Sequence, residues 1–233
     1  SATCSFNPEC GREYKGAPPE VSCAKRVWVI GAGPAGLAAA MASAARGHAV
    51  EVFERDDAPG GQLQSASSPP HKEGFLDWVK WALRQLKKGS VPIHYRHAVG
   101  ADEIKEKRPE AVILACGAAP ANPPIPGLDA PQVADARDVL TGKVALASPA
   151  VVLGAGYVGM ETADFLLAQG LAVTVLEMRP TPPVAKLTAH GYWLHKRIRE
   201  GGGRLILGAE VVSVEDGSVR YRRAGTEHVE TAA

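Results

Sequence analysis

One arrangement of apolar and polar positions occurs twice along the chain, because residues 27–54 and 150–177 align with each other without a gap. In each copy, an apolar run of four residues enters a glycine-rich turn, and a segment rich in alanine and leucine follows with helical spacing. A glycine then stops the helix, at Gly47 and at Gly170, and a second apolar run ends on glutamate. Each copy therefore predicts a β-α-β unit. The connections are long enough for a helical crossover, so both strand pairs should be parallel and both crossovers right-handed.

The remaining pattern predicts two helices and four strands outside the repeats. The helices span 75–88, an amphipathic segment stopped by Gly89, and 187–200; the strands span 91–95, 111–115, 204–214 and 218–222. A proline-rich run, residues 120–126, breaks regular structure and looks like the exit from a domain. We predict a leader or linker at 1–22, a first nucleotide-binding domain at 23–146 and a second at 147–233.

The first glycine-rich turn, residues 31–36, follows a strand and opens a helix, the context in which a Gly-x-Gly-x-x-Gly pattern indicates a dinucleotide site. Gly31 permits the tight turn, Gly33 lets the backbone approach a diphosphate, and Gly36 lets helix and strand pack closely. The helix N-terminus then faces the phosphates, and Glu54 at the end of the second strand can accept both ribose hydroxyls. The alternative is a glycine-rich helix start in a generic α/β protein.

The residues after Glu54 separate FAD from NAD at this turn. A second glycine pair, Gly60 and Gly61, can let the backbone pass close to an extended dinucleotide, which favours FAD. The residues predicted to bind FAD are Gly31, Gly33, Pro34, Ala35, Gly36, Glu54, Arg55, Gly61, Gln62 and Gly117.

The second glycine-rich turn, residues 154–159, repeats this pattern without a following glycine pair. A carboxylate at Glu177 would repel the 2′-phosphate of NADP, so NADH is predicted as the donor, although the nearby Arg179 leaves NADPH open. The alternative is a degenerate copy that binds nothing. The residues predicted to bind NADH here are Gly154, Gly156, Tyr157, Val158, Gly159 and Glu177.

Composition and charge favour a small-molecule role. A formal net charge of +1 provides no field to attract nucleic acid or anionic lipid, so neither nucleic acid nor membrane is predicted as a partner. The absence of a long apolar stretch and of a signal-peptide layout predicts a cytoplasmic protein. His94 and His97 should point to opposite faces of a strand, as solvated surface residues. No Cys-x-x-Cys pair occurs, so a redox dithiol is not predicted, and Cys116 is interpreted as a small packed residue.

Two such units in one chain resemble the flavoprotein disulfide-reductase fold, an α/β fold in which an FAD domain is followed by an NAD domain. The segment 111–117, followed by Pro120 and residues 125–127, is similar to the link between those domains. A narrower resemblance rests on the segment from Cys4 to Glu13, on Lys25-Arg26 before the first strand, and on the Gly-Gly-Gln-Leu of residues 60–63. These segments resemble the C-terminal region of the old-yellow-enzyme-like NADH:flavin oxidoreductases, which include 2,4-dienoyl-CoA reductase, trimethylamine dehydrogenase and histamine dehydrogenase.

The narrower resemblance implies an electron-transfer enzyme with further parts. An N-terminal barrel would hold FMN and the substrate, within the same polypeptide or in a partner subunit. A 4Fe-4S cluster would follow it, and Cys4 matches the last cysteine ligand of that cluster, the other three lying upstream. By the same resemblance Glu161 would lie near the nicotinamide, the alternative being a helix-surface residue. A strand that closes the NAD domain and a return segment that completes the FAD domain would both be missing after Ala233. ADP could replace FAD, as in trimethylamine dehydrogenase.

The two glycine-rich turns predict a function in which hydride passes from NADH to FAD, and the resemblance implies that electrons then leave through the iron-sulfur cluster to FMN. Such a transfer between stacked rings needs orientation more than an acid–base pair, so no catalytic residue is assigned. The alternatives are a structural module that binds ADP or FAD without turnover, and the nucleotide-binding subunit of another electron-transfer complex, such as the small subunit of glutamate synthase. The final substrate and the oligomeric state are not predicted.

Overall fold

The computed structural model describes residues 4, 6, 7, 9–16 and 19–233, and its contacts divide the chain into two units. Unit 1 comprises the described residues up to Ser67 together with Glu73–Ala119. Unit 2 comprises Ser68–Lys72 and Pro120–Ala233. No helix within the described ranges has both the length and the apolar character needed to cross a lipid bilayer.

Unit 1 is built around a parallel sheet. Its strands are β1 (Arg26–Ile30), β2 (Ala49–Phe53), β3 (Ile93–His94) and β4 (Ala111–Leu114); its helices are α1 (Pro34–Ala45), α2 (Leu63–Ala66), α3 (Gly74–Lys88) and α4 (Ala101–Lys107), and Glu13–Lys15 form a 3₁₀ turn. The strand order is β3-β2-β1-β4, with every neighbouring pair parallel. Helices α1 and α3 pack on one face of this sheet, where Val29, Leu37, Val52 and Leu86 are buried in one core.

Unit 2 combines a parallel and an antiparallel sheet. Its helices are α5 (Ala136–Leu140), α6 (Tyr157–Ala168) and α7 (Ala189–Glu200); its strands are β5 (Ala150–Leu153), β6 (Val173–Glu177), β7 (Arg204–Leu207), β8 (Glu210–Glu215), β9 (Ser218–Arg223) and β10 (Thr226–Thr231). Strands β5-β6-β7 form the parallel sheet, and β10-β9-β8 form the antiparallel one. Met160, Leu166, Val175 and Leu194 are buried between the parallel sheet and its helices.

The paired strands of each unit bring the glycine-rich turn beside the end of the neighbouring strand. In unit 1, Ile30 is in register with Phe53, and the Gly31 N–H donates to the Phe53 carbonyl at 2.7 Å. In unit 2, Leu153 is in register with Leu176, and the Gly154 N–H donates to the Leu176 carbonyl at 2.8 Å. Because the chain continues from each of these carbonyls into a glutamate, both acidic residues start next to their turns.

The observed elements differ from the predicted ones where glycine or a turn interrupts an apolar run. The predicted strand 204–214 is two strands in different sheets, because Gly208 adopts a left-handed conformation with φ of 69° between them. The predicted strand 91–95 is only Ile93–His94. The predicted helix 187–200 begins at Ala189, since the Thr188 hydroxyl accepts a hydrogen bond from the Gly191 N–H and caps it. Helices α2, α4 and α5 and strand β10 lie outside the predicted elements.

The division between the units falls earlier than the boundary predicted after residue 146. Residues 120–146 group with unit 2, because Val139 and the half-buried Leu146 pack into the core beneath α6. The short segment Ser68–Lys72 also groups with unit 2, and Pro69 within it is fully buried. The proline-rich run therefore begins at the division between the units.

A buried ion pair joins α7 to α6 within unit 2. The Arg197 guanidinium donates to both carboxylate oxygens of Asp164, from Nε at 3.1 and 2.9 Å and from Nη2 at 2.7 Å, and Asp164 is only 4% exposed. We expect Arg197→Ala to lower the free energy of unfolding by about 2 kcal/mol, because it leaves a buried carboxylate without its partner. Urea unfolding followed by circular dichroism measures the change. Arg199→Ala, on the exposed side of the same helix, is the control and should leave the unfolding midpoint unchanged; equal losses would contradict this role of the pair.

Candidate dinucleotide sites

The turn after β1 is held too tightly to accept side chains at two of its glycines. A Cβ on Gly31, whose φ is 107°, would lie 2.4 Å from the Ala115 carbonyl oxygen. A Cβ on Gly36 would lie 1.8 Å from the Gly31 carbonyl oxygen. Gly36 therefore allows α1 to start directly against the turn, as the sequence predicts for this position.

The predicted glycine pair after β2 lies against the same turn. The Gly60 N–H donates to the Ala32 carbonyl at 2.8 Å, and a Cβ on Gly61 would lie 3.1 Å from Gly33 Cα. Gly61 itself has a φ of 50°, in the left-handed region. The two glycine segments therefore form one cradle made of backbone.

The N-terminus of α1 faces this cradle. Gly33 occupies the N-cap position, no side chain of the described chain caps the helix, and Pro34 takes the first helical position. Ala35 is exposed, whereas Gly36 is buried. The N–H groups of a first helical turn have no partner within the helix, so they can donate to an anionic ligand.

Glu54 is buried beside the first turn and tied to it by hydrogen bonds. Its Oε2 accepts from the Ala32 N–H at 2.7 Å and its Oε1 from the Asp56 N–H at 3.0 Å, and the residue is 6% exposed. Each carboxylate oxygen retains a second acceptor position, which is what two ribose hydroxyls require. Burial and the Glu54 charge raise the pKa of Tyr95 above its ordinary value, so the Tyr95 hydroxyl stays protonated at neutral pH.

The other predicted FAD residues border the cradle to different degrees. Gln62 Nε2 donates to the Ala118 carbonyl at 3.3 Å, and a Cβ on Gly117, whose φ is 72°, would lie 3.9 Å from that nitrogen. The structure therefore brings Gln62 and Gly117 together. Arg55 points to solvent with a side chain 75% exposed, and its Nε lies 3.7 Å from the Asp56 carboxylate.

The turn after β5 has the same backbone form but is open. Gly154 has a φ of 95°, and a Cβ on Gly154 or on Gly156 would meet no atom within 4 Å. A Cβ on Gly159 would lie 1.9 Å from the Gly154 carbonyl oxygen, which repeats the close packing of Gly36. Tyr157 and Val158, the first residues of α6, are about half exposed, at 47% and 59%. The N-terminus of α6 also has no side-chain cap among the described residues.

Glu177 repeats the arrangement of Glu54 atom for atom. Its Oε2 accepts from the Ala155 N–H at 2.8 Å and its Oε1 from the Arg179 N–H at 2.9 Å, and the residue is 5% exposed. The internal repeat thus extends from the sequence to individual hydrogen bonds. The two turns differ mainly in their surroundings, since the first is enclosed by Gly60-Gly61 and by residues 115–117 and the second is open.

Glu161 is buried in α6, so the alternative that placed it on a helix surface does not hold. It is 9% exposed, and its Oε1 accepts hydrogen bonds from Lys72 Nζ and, at 2.9 Å, from His190 Nε2. The His190 ring also stacks on Tyr157, with centroids 5.5 Å apart and an angle of 20° between the planes. Sequence reasoning did not identify Lys72 or His190. Neither lies in a periodic pattern or a motif, and both reach Glu161 from distant parts of the chain.

The predicted opposite orientation of His94 and His97 and the predicted packing of Cys116 are both wrong. His94 and His97 both contact the Phe53 ring, at 4.8 and 5.1 Å, and each bonds a glutamate. They share a side because the strand ends at His94 and the chain turns at Arg96, whose φ is 55°. Cys116 is exposed rather than packed, because it lies beyond the end of β4.

Cys4 is exposed, and its Sγ accepts a hydrogen bond from the Phe6 N–H at 3.5 Å. Among the residues that the structure describes, no group of three or more His, Cys, Asp or Glu side chains is placed to hold a metal ion. Cys4 by itself cannot hold a four-iron cluster, which requires four ligands.

Comparisons with known proteins agree with this geometry. The family model described as Pyridine nucleotide-disulphide oxidoreductase matches residues 25–233. An NADH oxidase of Thermoanaerobacter brockii is 39% identical in an alignment of 182 residues that covers 75% of this chain and 28% of the relative. A cinnamate reductase of Clostridium sporogenes is 35% identical over 179 residues, which make up 77% of this chain and 27% of the relative.

A solved structure of 2-naphthoyl-CoA reductase with 2-naphthoyl-CoA matches with a TM-score of 0.91 and 27% identity, over 98% of this chain and 35% of that one. The α/β fold class and the resemblance to the C-terminal region of the old-yellow-enzyme-like NADH:flavin oxidoreductases are confirmed by these matches. The chain spans only 28% and 27% of the two curated relatives. Which residues bind each nucleotide stays a prediction.

Proposed function

Because this chain belongs to the pyridine nucleotide-disulphide oxidoreductase family, we propose that it is the FAD- and NADH-binding part of a larger flavin-dependent oxidoreductase. The observation that carries the proposal is the repeated pairing of a glycine-rich turn with a buried glutamate, Glu54 in unit 1 and Glu177 in unit 2. One such pair can be a generic α/β feature. Two pairs with the same hydrogen bonds, one enclosed and one open, supply two nucleotide sites of different kinds.

FAD fits the enclosed site of unit 1. The cradle of Gly31, Gly33 and Gly61 presents backbone without side chains, which suits the close approach of a diphosphate, and a Cβ on Gly31 or on Gly61 would crowd neighbouring backbone atoms. The first-turn N–H groups of α1, at Ala35 and Gly36, would donate to the phosphates, and Glu54 would accept the ribose hydroxyls. Arg55, Gln62 and Gly117 would border the rest of the ligand. ADP alone would use the same turn and the same glutamate.

NADH fits the open site of unit 2. Gly154 and Gly156 leave free space along the turn, and the N–H groups at the start of α6 would donate to the diphosphate. Glu177 would accept the ribose hydroxyls, and its buried charge would oppose a 2′-phosphate, which favours NADH over NADPH. Glu161 would border the nicotinamide half.

When bound, NADH supplies a hydride, and FAD supplies an acceptor of two electrons that can release them singly. The chain's own residues bind and orient rather than exchange protons. The two carboxylates hold their turns through backbone N–H groups, and the glycines keep side chains out of the path of the ligands. The positions of the diphosphate and the ribose would therefore be set mainly by the backbone of each turn.

The rest of the electron path is assigned to parts of the protein outside this chain. We place FMN and the final substrate in an N-terminal barrel, in the same polypeptide or in a partner subunit. We also propose that Cys4 provides one ligand of a 4Fe-4S cluster. The small share of the relatives' length that this chain spans supports such further parts. A cytoplasmic location stays a prediction.

An absorbance experiment tests the proposal on the purified protein, reconstituted with FAD where needed. We expect flavin bands in the visible spectrum that bleach on anaerobic addition of NADH and return on exposure to oxygen. NADPH is the matched control and should act at least about tenfold more weakly, because of the Glu177 charge. A colourless protein that retains only ADP after reconstitution would overturn the oxidoreductase function and favour a structural nucleotide-binding module.

A further inference from the structure

Four side chains of unit 2 form a connected group beside the open turn, which we name the His190 cluster: Lys72, Tyr157, Glu161 and His190. Glu161 Oε1 accepts hydrogen bonds from Lys72 Nζ and from His190 Nε2. The His190 ring also stacks on the Tyr157 ring. The residues come from three places in the chain: the segment Ser68–Lys72, α6 and α7. His190 contacts both the buried Glu161 carboxylate and the half-exposed Tyr157 ring.

The hydrogen bond to Glu161 fixes the orientation of the His190 ring. A carboxylate only accepts, so His190 Nε2 must carry the hydrogen, and the bond length of 2.9 Å leaves little freedom for rotation of the ring. The Tyr157 ring lies nearly parallel to that ring, at an angle of 20°. His190 therefore links the buried Glu161 carboxylate to the Tyr157 ring at the start of α6.

The cluster lies next to the proposed diphosphate site in the sequence of α6. Tyr157 directly follows Gly156, the N-cap of that helix, and Glu161 follows one turn later. Both hydrogen bonds to Glu161 go to Oε1, and no hydrogen bond from the described residues reaches Oε2. Oε2 is thus an acceptor that a carboxamide N–H₂ could use, and a planar ring could pack against the half-exposed Tyr157.

We propose that His190 is a positioning residue for the nicotinamide half of NADH, holding the Tyr157 ring and the Glu161 carboxylate in the orientation that this half requires. The inference rests on the proposed function, since it assumes that the turn after β5 binds the dinucleotide. It assigns His190 no contact with the adenine half. Its loss should therefore weaken binding of NADH and leave binding of ADP-ribose, which lacks the nicotinamide, unchanged.

Two substitutions separate the two contacts of His190. His190→Phe keeps a ring for the stack and removes the donor to Glu161, whereas His190→Gln keeps a donor group and removes the ring. We expect each variant to raise the Kd for NADH about fivefold to tenfold and to leave the Kd for ADP-ribose within about twofold of the native protein. Isothermal titration calorimetry with NADH and with ADP-ribose, each as the sole ligand, measures both constants.

The matched control is His195→Gln, five residues further along α7, where His195 Nε2 bonds the Val184 carbonyl at 2.9 Å instead of a member of the cluster. It should leave both constants unchanged. Tyr157→Leu is a second route to the same result. Tyr157 is 47% exposed, so the variant should fold, and it should show the same selective weakening of NADH binding.

The outcomes distinguish the inference from the function on which it rests. A native protein that binds neither NADH nor ADP-ribose contradicts the proposed function itself. A native protein that binds both, with His190 variants or Tyr157→Leu that bind NADH equally well, overturns the inference alone. Equal losses for NADH and ADP-ribose would also overturn it, because they indicate a structural role for His190 without preference for the nicotinamide half.

Discussion

Gly36→Ala is expected to destabilise unit 1 by more than about 3 kcal/mol and to abolish FAD binding. The added Cβ would lie 1.8 Å from the Gly31 carbonyl oxygen, a backbone atom that cannot rotate away. Alanine gains about 1 kcal/mol over glycine in a helix interior, but this gain is smaller than the cost of separating α1 from the turn. Thermal unfolding and the flavin absorbance of the purified variant measure the two effects.

A second helical glycine provides the matched control for that experiment. Gly74 begins α3, and a Cβ there would only touch the Phe6 ring at 3.8 Å, an ordinary contact. Gly74→Ala should leave the stability of unit 1 unchanged or slightly raised, with full flavin content. Gly159→Ala should repeat the loss in unit 2, since its Cβ would lie 1.9 Å from the Gly154 carbonyl oxygen. A stable, flavin-containing Gly36→Ala variant would show that the helix can move away from the turn.

The second large effect is expected from exchanging each buried glutamate for glutamine. Both carboxylate oxygens of Glu54 and of Glu177 accept backbone N–H groups, so an amide at either position must turn its NH₂ toward an N–H donor. Leaving a buried donor unpaired costs about 1 to 3 kcal/mol, and the turn that binds the ribose shifts with it. We expect Glu54→Gln to weaken FAD binding about 10-fold to 100-fold and Glu177→Gln to weaken NADH binding by a similar factor.

The informative result is the crossed pattern of the two variants. Glu54→Gln should retain the NADH affinity of the native protein, and Glu177→Gln should retain its flavin content, as measured by calorimetry and by absorbance. Glu51→Gln is the control. Glu51 lies on β2, the strand that ends just before Glu54, but its carboxylate bonds Trp28 and His94 instead of the turn. Loss of both ligands in either single variant would indicate a general defect and count against two separate sites.

The parts of the fold that could be predicted from the sequence are those in which local chemistry decides the structure. The turn at Gly31, the start of α1 at Pro34 and the strand ending before Glu54 depend on neighbouring residues and on one spacing. The same holds for their copies in unit 2. Both glutamates were identified because the parallel register necessarily brings the end of one strand beside the turn that follows its neighbour.

The parts that were missed depend on contacts between distant residues. Lys72 and His190 lie 89 and 29 residues from Glu161, and no periodicity reveals that either approaches a buried acid. The run from Arg204 to Val214 has the hydrophobicity of one strand, and only the left-handed backbone at Gly208 divides it between two sheets. The pattern places His94 and His97 on opposite faces only if the strand continues past His94, and the strand ends at that residue. In each case the tertiary structure overrides the local pattern.

The membership of Ser68–Lys72 in unit 2 has a consequence for exchanging parts of such proteins. A recombinant swap at the proline-rich run would transfer residues 120–233 and leave this five-residue segment with the donor of unit 1. The transplanted Glu161 would then meet whatever side chain the new host carries in place of Lys72. Chimaeras, whether made in the laboratory or by gene fusion, should therefore retain function when they inherit both pieces from one parent. Recombination within this family should therefore keep Ser68–Lys72 together with the segment that begins at Pro120.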